Sequence, residues 1–354
     1  MTLKETLLWP LTLPYGGISH LRARAYRKGI LKQRHLEGVV ISVGNLTVGG
    51  TGKTPMVLWL AEHLAAEGKC VGILTRGYHG KAAPKASAAQ GAEHDSFLST
   101  SDEVRMLTSR LGDRVTFGVG ADRFARGREL TSQGVDWFIL DDGFQHQQLA
   151  RDADIVLIDA THPFGGGHLL PAGRLREGRS ALARADVIVI TRSDHAPAVE
   201  ALIRRDSEAP IFYARTHLDS IYSFGSDAPP VDITPDRAQK LFAFCGIGNP
   251  SAFLTDLRTW GFSVSGHRFF PDHHRYSRLD VDRIQSEAEA AGAKALICTE
   301  KDIYNLSGLS WRLRNPLFAR ISLHIDSEDG FWRSILQAIN MRRRAGGLPP
   351  PMSV

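Results

Sequence analysis

Apolar residues in this chain fall into short unbroken runs, separated by stretches in which they recur every three or four positions. Residues 39–43, 70–75, Val115–Val119, 135–140, 155–159 and Val187–Thr191 are runs of strand length, rich in valine and isoleucine. Runs without polar alternation predict strands buried on both faces. Residues 55–64, Asp102–Leu111 and 123–133 carry helical spacing between them. The alternation predicts an α/β fold, a mostly parallel sheet covered by helices, with ligand groups at the carboxyl ends of the strands. It resumes later as strand Lys240–Cys245, helix 251–260, strand Ser263–Phe269, helix 280–291 and strand Ala295–Thr299. Between the two series, 210–221 reads as extended and 226–235 is rich in Pro and Asp. The predicted organisation is an N-terminal segment (1–36), a first α/β domain (37–209), a linker (210–236), a second, smaller α/β domain (237–345) and a tail (346–354).

The first strand runs into Gly44-Asn45-Leu46-Thr47-Val48-Gly49-Gly50-Thr51-Gly52-Lys53-Thr54-Pro55, and a helical pattern follows. Strand, glycine loop and helix in that order form a phosphate loop, with a nucleoside triphosphate at a helix N-terminus. Gly49, Gly50 and Gly52 let the backbone turn its N–H groups inward, and Thr47, Val48 and Thr51 complete the candidate ATP-binding loop. Lys53 can reach the β- and γ-phosphates and is expected to be solvated without them, while the Thr54 hydroxyl can ligate Mg²⁺. The motif asks for glycine five residues before Gly52, where this chain has Thr47. Asp141 and Asp142 end a later apolar strand, as an Mg²⁺-holding acidic pair does in P-loop NTPase-like folds. Aspartate at a strand end also serves as a cap or turn residue.

Other chemistry is less defined. Ser101-Asp102-Glu103 reads as a helix start, with acids favoured by the helix dipole. His273 and His274 suit either a metal or a polar surface, and no further Cys or His lies at ligand spacing. Cys70, Cys245 and Cys298 are scattered among apolar neighbours, which predicts buried free thiols rather than zinc or disulfides. No stretch approaches the roughly 18–20 apolar residues a membrane-spanning helix requires.

The net charge is +5, and residues 1–37 alone carry seven basic against two acidic residues. Trp9, Tyr15, Tyr26 and several leucines share that segment. The combination suits an interfacial segment on an anionic leaflet. The alternative is a helix packed on the protein's own core with a solvated basic face. A signal peptide fits poorly, because the basic residues follow the apolar run. Nucleic acid is not expected as a partner, since no aromatic-basic interleaving recurs.

Taken together these strings resemble the tetraacyldisaccharide 4'-kinase family, the lipid A 4'-kinases of Gram-negative bacteria. The resemblance rests on the phosphate loop, Thr75-Arg76-Gly77-Tyr78, Asp102-Glu103, Asp141-Asp142-Gly143-Phe144-Gln145-His146, Leu170 to Glu177, Gly246-Ile247-Gly248-Asn249-Pro250, Asp272-His273 and Thr299-Glu300-Lys301-Asp302. Threonine replaces the first loop glycine in that family. Ser101, Val104 and Gly178 depart from its pattern without removing a functional side chain.

The resemblance implies transfer of the ATP γ-phosphate to the 4'-hydroxyl of an acylated glucosamine disaccharide 1-phosphate, forming lipid IVA. It implies Asp102 as catalytic base partnered by His273, a pairing that would fall between the two predicted domains. Lys53 would act in catalysis as well as in ATP binding. Arg76, Tyr78, Glu103, Arg123, Gln145, Arg176 and Glu177 become candidates for phosphate and disaccharide contacts. Residence at the cytoplasmic face of the bacterial inner membrane, peripheral or monotopic, is implied, and no obligate protein partner. Two other readings stay open: a membrane-recruited P-loop switch ATPase, whose loop carries Lys where this chain has Val48, and a kinase of a soluble small molecule, which would not need the N-terminal segment.

Overall fold

The computed structural model describes residues 3–77, 101–224, 239–306, 308–312 and 316–347. Tyr78, the segments 81–92 and 226–235 and the proline tail lie outside the described residues. The chain divides into two compact units, Met1–Thr100 with Leu111–Arg215 and Leu323–Val354, and Ser101–Arg110 with Thr216–Ser322.

The first unit opens with α1 (Leu3–Arg27), then β1 (Val39–Asn45), α2 (Lys53–Ala66) and β2 (Val71–Thr75). Helix α3 (Asp102–Leu111) comes next in the chain and belongs almost wholly to the second unit. The first unit resumes with β3 (Val115–Val119), α4 (Arg123–Thr131), β4 (Trp137–Asp141), β5 (Ala153–Asp159), β6 (Val187–Thr191) and α5 (Pro197–Ile203). Strand β7 (Ile211–Ser223) carries the chain into the second unit. The strands of the first unit, with β7 at the end, are ordered β3-β2-β4-β1-β5-β6-β7. All six pairings are parallel, with Val43 opposite Asp141 and Thr191 opposite Asp159 and Ala214.

Every residue of β1, β2, β4, β5 and β6 is buried. That explains their unbroken apolar runs, because strands covered on both faces have no polar side to alternate with. One core cluster surrounds Phe144, Val156, Leu182 and Ile188; another contains Val40, Leu74, Phe138 and Leu140. Full burial of each such side chain contributes about 1.5–3 kcal/mol.

The second unit contains β8 (Lys240–Cys245), α6 (Pro250–Thr259), β9 (Ser263–Phe269), α7 (Arg278–Ala290), β10 (Ala295–Thr299) and β11 (Leu317–Ile325), whose last residues return to the first unit. Its strands are ordered β11-β10-β8-β9, all parallel. Asn249 caps α6 with Pro250 at its first turn, and Ser277 and Asp280 form a reciprocal capping box on α7. Helix α8 (Glu328–Ala345) closes the first unit, burying Phe331, Trp332, Ile335 and Ile339.

Three expectations change. The expected linker is largely strand: Ile211–Ala214 pairs with β6, because Tyr213 and Ala214 are buried there. The expected domain boundaries also differ from the observed units. The start of α3 joins the second unit through Arg105, which donates to Tyr304 O at 2.6 Å, and Arg110, which pairs with Glu300 at 3.1 Å. Residues 323–345 join the first unit instead, through the apolar face of α8. Finally, Cys245 and Cys298 are buried thiols, but Cys70 is exposed one residue before β2 begins.

Candidate functional site

The phosphate loop is shaped from beneath and from one side. Gly52 takes a left-handed conformation (φ 89°) immediately before α2, which a side chain would strain. Asn45 Nδ2 donates to Thr51 Oγ1 at 2.9 Å, and Thr191 Oγ1 donates to the Thr51 carbonyl at 3.1 Å. The first half of the loop is strapped to residues 174–176. Val48 N donates to Arg174 O at 2.8 Å, Arg176 N donates to Leu46 O at 2.7 Å, and Thr47 bridges Leu175. The described non-glycine residues with left-handed backbone are Asp142, Arg192 and His273. Thr47 therefore needs none of glycine's freedom, which explains how threonine serves there.

The acidic turn stands beside this loop. Gly44 and Phe144 approach so closely that a Cβ on Gly44 would meet Phe144 Cβ at 2.6 Å. Asp141 ends β4 and its Oδ2 accepts from Thr75 Oγ1 at 3.0 Å. Asp142 sits in the left-handed region (φ 50°) with Arg176 Nη1 2.6 Å from Oδ2 and Lys53 Nζ 3.6 Å from Oδ1. Burial alone would raise the Asp142 carboxyl, but Lys53 and Arg176 outweigh it and hold the group below the usual carboxylate range. Lys53 also donates to Asn45 Oδ1 at 3.4 Å, and its side chain is 17% exposed. The expectation of a solvated Lys53 is thus corrected: the carboxylate of Asp142 draws it in.

Gln145 Nε2 donates to Asn45 O at 3.0 Å, tying the acidic turn to the end of β1. Arg123 is buried; its Nη2 donates to Asp141 O at 3.3 Å and its Nη1 lies 3.1 Å from His146 Nδ1. Burial, helped by Arg123 and Arg151, pushes His146 down to about 4, so its neutral ring accepts from Arg123. Glu177 is buried and paired with Arg184 at 3.0 Å. Arg76 follows β2 and is exposed. Thr54 is half-buried in the first turn of α2.

The second unit brings Asp102 and His273 into contact. His273 Nδ1 lies 2.9 Å from Asp102 Oδ1 and 3.2 Å from Oδ2. Asp102 heads α3, and its Oδ1 also accepts from Glu103 N at 2.9 Å. Asn305 Nδ2 approaches Oδ2 at 3.4 Å. Burial opposes ionisation of Asp102, yet the hydrogen bond to His273 and the charge of Lys301 hold its carboxyl low. The same bond to Asp102 holds the His273 imidazole above its ordinary value, against burial and Lys301. Glu103 accepts from Lys301 Nζ at 3.1 Å. The expected pairing is therefore present, but inside one unit rather than between two.

Asn45, Thr191 and Arg174, which brace the loop, were not singled out from sequence. Asn45 and Arg174 lie inside the loop string and the string Leu170 to Glu177, whereas Thr191 is 140 residues from its partner, so no local signal marks its bracing role.

Comparison with known proteins agrees with this geometry. The profile of the family LpxK: Tetraacyldisaccharide-1-P 4'-kinase matches residues 4–340. The chain is 36% identical over 320 residues to the tetraacyldisaccharide 4'-kinase of Desulfotalea psychrophila, covering 88% of this chain and 90% of that one. It is 39% identical over 314 residues to the protein of the same name from Geobacter metallireducens, covering 87% and 90%. Among solved structures it is similar to the "apo" form of LpxK from Aquifex aeolicus in complex with ATP, with TM-score 0.71, 29% identity and coverage of 96% and 100%.

Proposed function

Because the chain belongs to the tetraacyldisaccharide-1-P 4'-kinase family, we propose that it transfers the γ-phosphate of ATP to the 4'-hydroxyl of an acylated glucosamine disaccharide 1-phosphate, giving lipid IVA. The observation that carries this reading is the buried Asp102 carboxylate held against His273 Nδ1 at 2.9 Å. An alcohol acceptor must lose its proton as it attacks phosphorus, and a carboxylate kept ionised and oriented by an imidazole is suited to take it.

The remaining roles follow from position. The loop amides of residues 47–54 and Lys53 cradle the triphosphate at the start of α2. Asp141, Asp142 and Thr54 offer hard oxygen ligands suited to Mg²⁺. Asp142 Oδ1 is a buried oxygen that makes no hydrogen bond and has only the longer ion pair to Lys53 Nζ at 3.6 Å, which fits a cation ligand. Among the described residues no group of three His, Cys, Asp or Glu could hold a metal. Mg²⁺ takes one or two carboxylates and completes its shell with phosphate and water. When bound, Mg²⁺ neutralises charge on the β- and γ-phosphates. Arg123 and Arg176 fix the two aspartates, Gln145 fixes the turn to β1, and exposed Arg76 is the contact we assign to a substrate phosphate. Tyr78, Glu103 and Glu177 complete the proposed substrate contacts.

A lipid acceptor also accounts for α1. Trp9, Leu11, Leu13, Ile18 and Leu21 are exposed on it, and Arg22, Arg24 and Arg27 follow toward its end. No helix of the described residues is long and apolar enough to cross a membrane. We assign α1 to the anionic cytoplasmic leaflet, on which it would lie rather than span, on the side where ATP is available. A soluble acceptor would leave this apolar surface without a use.

The test is an ATP-dependent phosphorylation assay with lipid A disaccharide 1-phosphate in detergent micelles. Product is expected from the intact protein and none from Lys53→Ala. ATP hydrolysis without lipid product would replace the kinase reading with the switch ATPase.

A further inference from the structure

Lys301 holds the chain on both sides of the Asp102–His273 contact. Its Nζ lies 3.1 Å from Glu103 Oε1 and 3.6 Å from Asp272 Oδ1. Glu103 follows Asp102, and Asp272 precedes His273. One ammonium group thus bridges the immediate neighbours of both members of the pair.

The segment bearing Lys301 is itself anchored. Glu300, on one side, pairs with Arg110 at 3.1 Å and Arg320 at 3.0 Å. Asp302, on the other, is buried and accepts from Gly246 N at 2.8 Å and Tyr276 OH at 2.7 Å. Gly246 O in turn accepts from His273 N at 3.1 Å. His273 has φ 59°, a left-handed conformation that a non-glycine residue keeps only where its surroundings over-determine it. An ion pair from a lysine with 17% side-chain exposure adds to such a constraint, because a partly buried pair is less screened than a fully exposed one.

We propose that Lys301 is a positioning residue for the acceptor-activating pair, clamping Glu103 and Asp272 so that Asp102 and His273 stay in hydrogen-bond register. The proposal rests on the reading of that pair as the base of the kinase. Lys301 makes its ion pairs with the neighbours of the two residues, and its charge also acts on Asp102 and His273 themselves. Burial opposes its charge, but Glu103, Asp102 and Asp272 raise its pKa above the ordinary lysine value, so it stays protonated across any working pH. The charged groups around His273 are Asp102, Asp272 and Lys301, while His274 alongside is paired with Asp280 at 3.1 Å.

The experiment follows the His273 imidazole by NMR titration in Lys301→Met, in parallel with turnover. If Lys301 positions the pair, its loss releases His273 from Asp102 and the imidazole pKa falls toward about 6.5. The value of kcat should drop about tenfold or more, with the KM for ATP within about twofold of wild type. If Lys301 contributed only its charge, which lowers the His273 pKa, the imidazole would titrate higher in the variant. An unchanged or raised value overturns the proposal. Glu103→Gln provides the same readout with Lys301 still present, should Lys301→Met fail to fold. Turnover of Asp102→Asn and His273→Ala tests the underlying reading separately. Wild-type rates there would remove the base assignment, whereas the titration of Lys301→Met is judged without reference to turnover.

Discussion

Arg176 grips the two halves of the nucleotide site at once: its Nη1 stands 2.6 Å from Asp142 Oδ2, and its backbone N–H donates to Leu46 O at 2.7 Å. The side chain sets the acidic turn and the main chain sets the start of the phosphate loop. An arginine in this place keeps Asp142 ionised and aimed, at a site where loop and turn have to face one triphosphate.

Arg176→Met is therefore expected to raise the KM for MgATP while leaving the backbone strap in place. It should also cost about 1 kcal/mol of stability at pH 7, a figure suited to a pair that is partly exposed. The sign with pH follows from the depressed Asp142 value. The contribution is fully present above the unfolded carboxyl pKa of about 3.9 and is lost as pH falls through the lower folded value. Thermal melts of wild type and variant should differ at pH 7, begin to converge below about pH 4 and coincide only below the depressed folded value. A gap that persists in acid would mean that packing of the arginine stem, not its charge, is responsible.

The Asp102–His273 contact predicts a non-additive pair. Asp102→Asn and His273→Ala should each lower kcat by about 10²–10⁴ at saturating ATP, as loss of a general base does. The double variant should lose little more than the worse single one, since the two act as a unit. Stability gives an independent check. The His273 value is raised in the fold, so its contribution is complete below about pH 6.5 and disappears as pH rises through the folded value. The stability deficit of His273→Ala should be larger at pH 5.5 than at pH 9. Multiplicative kinetic losses, or a deficit that grows with pH, would separate the two residues.

How much of this was legible in the sequence depended on range. The phosphate loop and the Asp141-Asp142 turn were readable because strand, glycines, lysine and helix are contiguous. The buried strands were readable because a run such as Val187–Thr191 has no polar face. Strand β7 reads as extended but not as a sheet member, because only three of its 13 residues are buried and Pro210 precedes it, so its pairing with β6 has no local mark. The membership of Asp102 in the second unit escaped for the same reason. It depends on Arg105 and Arg110 reaching residues about 200 positions away, and amphipathic spacing does not say against which surface a helix packs. The burial of Lys53 has no local mark either, because its partner, Asp142, sits in the turn after β4, far away in sequence.

Helix α1 predicts membrane binding of two physical kinds. Removal of residues 1–30 should release the protein from anionic vesicles and lower lipid phosphorylation more than ATP binding. Salt should weaken attachment of the intact protein only in part, because exposed Trp9, Leu11 and Leu13 contribute burial that ions do not screen. Vesicle co-sedimentation across a salt series reads both effects. Unchanged binding by the truncated protein would place the membrane contact elsewhere on the chain.

Beneath the acidic turn lies Arg151, and the last prediction concerns it. Its Nη2 donates to Gly143 O at 2.7 Å and Phe144 O at 3.2 Å, and its Nε donates to Asp154 Oδ1 at 3.1 Å. Both members of the Arg151–Asp154 pair are 5% exposed. Asp154 is shared with Arg342 of α8, whose Nη1 is 3.6 Å away and whose Nη2 pairs with Asp186 at 2.6 Å. Arg151→Met leaves a buried carboxylate short of one partner and removes a donor from three carbonyls, Gly143 O, Phe144 O and Leu149 O, of which Gly143 O still accepts from His146 N at 2.8 Å. Breaking a buried pair in this way costs about 3–5 kcal/mol, far more than a surface pair. Arg151→Lys keeps the charge but not the planar fork that serves four acceptors, so an intermediate loss is expected. Because Gly143 and Phe144 follow Asp142 directly, Arg151→Lys should also weaken MgATP binding, although Arg151 lies below the turn rather than in it. Urea denaturation and calorimetric ATP titration measure the two consequences separately. A loss under about 0.5 kcal/mol for Arg151→Met, the range of an ordinary surface change, would show that the Phe144 core alone holds the turn.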